Sequence, residues 1–149
     1  MGYLVPMACL EVLPGDTFRH KTSMLMRVAP LANPIMHPVD VRVHHWYVPN
    51  RILWNDFDEW QVGDTTKVKP KVTLGFDIHD HWLSEHFGIE PVPNIQVDAL
   101  PFRAYNKIWN EFYRDQDLQT ERDQDDLHLE RIAWEKDYFT VARPSPPGS

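Results

Sequence analysis

Three things are scarce in this sequence: cysteine, glycine and positive charge. Its 149 residues hold one cysteine, Cys9, so an internal disulfide and a four-cysteine zinc site are both excluded, and a reducing compartment suits the chain. Glycine occurs only six times, and no glycine-rich loop is available to cradle a phosphate. Net charge is −7, with ten acidic residues against four basic ones between Glu111 and Asp137. Affinity for nucleic acid comes mainly from Lys and Arg neutralising phosphates, so an acidic chain without a basic stripe is not a self-sufficient DNA binder. Long apolar runs are missing too, and none approaches a membrane span. The opening MGYLVPMACLEVLPG has no basic n-region and carries Pro6 and Glu11 in its apolar part, so it does not read as a signal peptide.

Aromatic and apolar residues, by contrast, are plentiful. A hydrophobic fraction of 42% is enough for one globular domain, while thirteen prolines predict much irregular chain. Side chains alternate from Thr17 to Val28 (Phe18, His20, Thr22, Met24, Met26, Val28) and again through Val39, Val41, Val43, His45 and Tyr47, which predicts two strands with one buried face each. Tyr3 to Val12 reads as a third, demoted to an edge by Pro6. Beyond Pro49 the spacing of Ile52, Leu53, Phe57 and Trp60 predicts a short helix. Val62 to Phe76 reads as loop with a short strand, and Asp80 to Phe87 as a helix stopped by Gly88. The clearest helix starts at Pro101 and runs to Tyr113, with Phe102, Tyr105, Ile108, Trp109 and Phe112 on its apolar stripe and Arg103, Lys107 and Glu111 elsewhere. Gln116 to Leu127 is polar and acidic and predicts a solvated stretch. Ile132 to Val141 reads as a last short helix before RPSPPGS.

Candidate chemistry is sparse. Asp77, His79, Asp80, His81, Glu85 and His86 are potential metal ligands within ten residues, and His79, His81 and His86 define a metal-dependent hydrolase as one reading. No HExxH signature supports it, and a solvated loop explains the cluster as well. His44 and His45 point to opposite faces of their strand and cannot share a metal, so His45 is expected half-buried beside Tyr47. Cys9 is expected to pack as a small hydrophobe. Asp125-Asp126 sits in too polar a stretch for burial to raise its pKa. The six tryptophans suggest a second rival, a stand-alone single-stranded DNA-binding module that stacks bases on aromatic rings. Few basic residues are interleaved with them, however, and packing or subunit contact is the preferred role. The candidate anchors are Trp46, Trp54, Trp60, Phe102, Tyr105, Trp109, Phe112 and Trp134, with no catalytic residue, cofactor or metal.

Longer strings say more. EVLPGDTF (Glu11 to Phe18), RVAPLANPIMHPVDV (Arg27 to Val41) and HHWYVPNRILWNDFDEW (His44 to Trp60) each resemble the major capsid protein of microviruses, especially gokushovirus-like phages. LPFRAYNKIWNEFYRDQDLQ (Leu100 to Gln119), WEKDYFTVARPSPPG (Trp134 to Gly148) and, more weakly, LSEHFGI (Leu83 to Ile89) resemble further blocks of that protein. The resemblance implies a mainly β, viral jelly-roll fold, here incomplete, with long helix- and loop-containing insertions. Residues 1–50 would supply early barrel strands, 51–133 an insertion, and 134–149 a short helix and proline-rich segment leading back to the barrel. It also implies a homo-oligomeric icosahedral shell around single-stranded DNA, with no membrane. A separate small basic DNA-binding peptide would assist, and the shell would assemble in a bacterial host's cytoplasm and end in the virion. The chain is shorter than the family's coat protein and looks like its N-proximal portion. Gly63 to Trp82 matches poorly and reads as a variable surface loop.

Overall fold

The computed structural model describes residues 2–27, 32–33, 36, 38–75, 83–90, 92–133, 135 and 138–139. The chain forms two units, one made of Met1–Cys9 with Trp46–Ser149 and the other of Leu10–His45.

The first unit is built around one helix. Strands β1 (Lys71–Thr73) and β2 (Gln96–Asp98) pair antiparallel with Val72 opposite Val97, and β2 runs almost directly into helix α4 (Leu100–Ile108). The Asp98 carboxylate accepts the Leu100 amide at 3.0 Å, satisfying one of the free donors at the start of α4, where Pro101 lacks an amide that would need a partner. Val72, Leu74, Leu83, Ala99, Phe102, Tyr105 and Leu129 form the core. Leu83 belongs to a short helix, α3 (Leu83–His86), that ends in a Schellman motif: Ile89 N–H donates to Ser84 O, Gly88 N–H donates to Glu85 O, and Gly88 takes φ +76°. That is the stop expected at Gly88.

The helix expected from Ile52 to Trp60 is two helices, α1 (Asn50–Leu53) and α2 (Phe57–Gln61). Arg103 of α4 donates to Leu53 O at 3.2 Å, taking up the carbonyl that a continuous helix would offer to the Phe57 amide, and that amide bonds Trp54 O instead. A tertiary contact overrides the local period. The helix expected to reach Tyr113 does so, but its last turn, Trp109–Tyr113, is a π-helix in which Arg114 N–H reaches back to Trp109 O at 3.0 Å.

The three early strands are not present as strands among the described residues. Tyr3 forms only an isolated antiparallel bridge with Arg131, flanked by Leu4 N–H to Glu130 O and Ile132 N–H to Gly2 O. The described residues of the second unit form no strand, and Phe18, Met24, Leu25, Met26, Val39 and Val41 are exposed. Alternation marks a side chain's intended face, but a strand exists only when a neighbour supplies the ladder. The mainly β character therefore shrinks, among the described residues, to one two-stranded sheet beside short helices. Ile132 and Ala133 are not helical, and the rest of that expected helix lies largely outside the described residues.

Candidate assembly surface

Helix α4 presents two faces with different work. Phe102, Tyr105 and Trp109 are buried on the core side, as their three- and four-residue spacing requires. Tyr105 Oη donates to Leu4 O at 2.9 Å and accepts Glu130 N–H at 3.0 Å, while Trp109 Nε1 donates to Arg131 O at 2.9 Å. Each ring thus buries its body and spends its polar tip on backbone. Burial, chiefly, raises the Tyr105 phenol above its ordinary value.

The adjoining face of the helix holds the acidic segment in place. Arg103 forms a two-pronged pair with Asp125 at 2.6 and 3.0 Å. Asn106, wholly buried, donates from Nδ2 to Gln124 O and Asp126 O, both at 2.9 Å. Asn110 exchanges two bonds with the Arg122 backbone, and Arg114 donates to Gln119 O and pairs with Glu121. The Arg122 side chain, 6% exposed, lies near the Tyr105 and Trp109 rings and bonds Asp126 and His128 O. Burial pushes the Asp126 carboxyl up, yet hydrogen bonds from His128 and Arg122 outweigh it and hold the group below the ordinary aspartate range. Residues 116–127, expected to be merely solvated, are docked by polar side chains that read their backbone. Asn106, Asn110, Arg114 and Arg122 were not among the residues singled out from sequence. The signal was Arg103, Asn106, Asn110 and Arg114, a polar stripe at spacings of three and four.

Phe112 departs from its expected place. It is 61% exposed and stacks on Trp46, itself 41% exposed, with ring centroids 4.1 Å apart, and Tyr113 approaches Trp46 edge-on. The wide π-turn changes the angular step after Ile108 and swings Phe112 off the core stripe. Trp54, Phe57 and Trp60 form a second aromatic group, with centroids about 6 Å apart, half-buried at Trp54 and Phe57 and exposed at Trp60. Lys69 Nζ sits 6.0 Å from the Trp60 ring and pairs with Asp98. Trp134, His79 and His81 lie outside the described residues, whereas His86 is an exposed residue at the end of α3. Cys9, expected to pack, is exposed, and so is His45, expected half-buried, which meets His20.

No helix among the described residues is long and apolar enough to cross a membrane. In the first unit Trp46, Trp60, Phe112 and Leu118 expose apolar side chains. Comparison with known proteins gives this surface a context. The chain is 36% identical over 135 residues to capsid protein VP1 of Chlamydia phage 1, covering 80% of this chain and 22% of that protein. It is 33% identical over 162 residues to capsid protein VP1 of Bdellovibrio phage phiMH2K, covering 96% of this chain and 30% of the relative. With capsid protein VP1 of Spiroplasma virus 4 the identity is 34% over 130 residues, 81% of this chain and 24% of that one. The chain thus spans less than a third of the length of these relatives. A family described as capsid protein (F protein) matches residues 1–148, and the chain belongs to that family.

Proposed function

We propose that this chain builds part of the capsid shell of a small single-stranded DNA virus and that its work is structural: strand pairing, aromatic anchoring and contacts between coat-protein copies. The observation that carries this reading is the family match over residues 1–148. In this reading the fold completes as a jelly roll when residues 1–50 find strand partners, and residues 51–133 form an insertion between strands. Residues 134–149 lead back to the barrel. The partners are other copies of the coat protein and the remainder of its sequence, with the enclosed genome and a small basic peptide to offset the acidic charge of the chain. The place of action is the virion.

The names of the relatives favour neither a hydrolase nor a stand-alone DNA-binding module. Trp46, Trp54, Trp60 and Phe112 are the anchors this reading assigns to the surface, and Phe102, Tyr105 and Trp109 those it assigns to the interior; Trp134 joins the set from its sequence block. The two groups separate experimentally. In a complete coat protein carrying this stretch, Phe112→Ser and Trp46→Ser should lower particle yield on a sucrose gradient while changing the subunit's melting temperature by less than Trp109→Ala does. Full particle yield from the double variant would remove the aromatic pair from the assembly surface.

A further inference from the structure

The second unit brings together two histidines that the assembly reading does not use. His45 Nε2 lies 2.7 Å from His20 Nδ1, and the two rings meet edge-on with centroids 4.6 Å apart. The other ring nitrogen of His20 contacts Thr22 Oγ1 at 2.5 Å, so one hydroxyl fixes the orientation of the His20 ring. Both histidines are exposed, and they come from segments 25 residues apart in the chain.

We propose that His20 and His45 form a surface site for a divalent transition-metal ion such as Zn2+, with Thr22 as the orienting group. Two imidazole nitrogens at 2.7 Å share one proton, because two lone pairs facing each other at that distance repel. A metal ion takes the place of that proton, which moves through solvent to the outer nitrogen of the ring that carried it, so both rings stay neutral and both facing nitrogens become electron-pair donors. With Zn–N bonds of about 2.0–2.1 Å in tetrahedral geometry, the nitrogens stand roughly 3.3 Å apart, so the rings need to open by only about 0.6 Å. Exposed side chains can make that movement. Neutral imidazole suits Zn2+, Cu2+ and Ni2+, whereas Mg2+ prefers oxygen. No group of three or more His, Cys, Asp or Glu gathers to hold a metal among the described residues, so water completes the coordination and the site is open and exchangeable. Thr22 has the role of the outer-shell partners that commonly orient a metal-binding histidine. Occupied, the site clasps the segment around His20 to the segment around His45, where the described backbone supplies no ladder.

The test titrates the 149-residue chain with zinc chloride, following heat by calorimetry and the ring nitrogens of 15N-labelled histidine by NMR, with magnesium chloride as control. The expected result is one Zn2+ per chain at this site, with the His20 and His45 ring nitrogens shifting together and no response to magnesium. His20→Ala and His45→Ala should each abolish that binding event, Thr22→Val should weaken it about tenfold, and the double change His79→Ala with His81→Ala should leave it in place. Zinc binding that survives both His20→Ala and His45→Ala overturns the proposal. So does an absence of zinc-dependent shifts at the His20 and His45 rings, or zinc bound only between two copies of the chain at one ion per pair.

Discussion

At the scale of single residues, the account rests on side chains that combine burial with a specific polar bond. Trp109 is 3% exposed and ties its ring nitrogen to Arg131 O. Truncating it should cost about 3–5 kcal/mol, since a cavity and an unpaired carbonyl are left together. Lys107, exposed and paired with Glu111 one turn on, should cost no more than about 0.5 kcal/mol on replacement by alanine. Chemical denaturation of the two variants in a complete coat protein checks the contrast, and equal losses would refute it. Asn106 is the less obvious case. Asn106→Leu keeps the volume but strands the carbonyls of Gln124 and Asp126, so we expect a loss of about 1–3 kcal/mol. It should be accompanied by faster hydrogen exchange in residues 116–127. A variant as stable as the parent would mean that the acidic segment is not docked by this amide.

At the scale of elements, α4 and the acidic segment behave as one clamp, and its pH response follows from Asp126. A carboxyl held below its ordinary value of 3.8 binds protons more weakly folded than unfolded. It therefore contributes stability that is fully present above the unfolded value and is lost as pH falls through the lower, folded one. Acidification below about pH 4 should release residues 116–127 before the core of α4, and Asp126→Asn should remove that acid-labile step. Proteolysis or hydrogen exchange across that range is the check. Much of this element was legible in advance, because a helix that buries a stripe must show it in its spacing: Phe102, Tyr105 and Trp109 stand where the period put them. Phe112 was misplaced because periodicity assumes a constant angular step, and one π-turn breaks it. The break between α1 and α2 was invisible for a related reason, since the hydrogen bond that causes it comes from Arg103, fifty residues away. The docking of residues 116–127 escaped because it depends on amides and guanidinium groups reading a backbone, which hydrophobic patterning does not register.

At the scale of the molecule, family membership was readable from blocks such as HHWYVPNRILWNDFDEW, whereas the strands proposed around Phe18 and Val41 were not recoverable as a sheet. Alternation specifies which side chains turn inward, but the ladder belongs to whichever segments lie alongside. Leu25 and Met36 in the second unit, and Tyr138 and Phe139 in the first, each expose an apolar side chain that such neighbours could cover. The central claim is that this chain is part of a shell, and electron cryo-microscopy of particles formed by a complete coat protein carrying this stretch tests it most directly. The account predicts closed particles in which residues 10–45 lie in paired strands and Trp46 and Phe112 are covered by another part of the shell. A coat protein that remains a soluble monomer, or particles in which residues 10–45 stay unpaired and both rings remain in solvent, would contradict it.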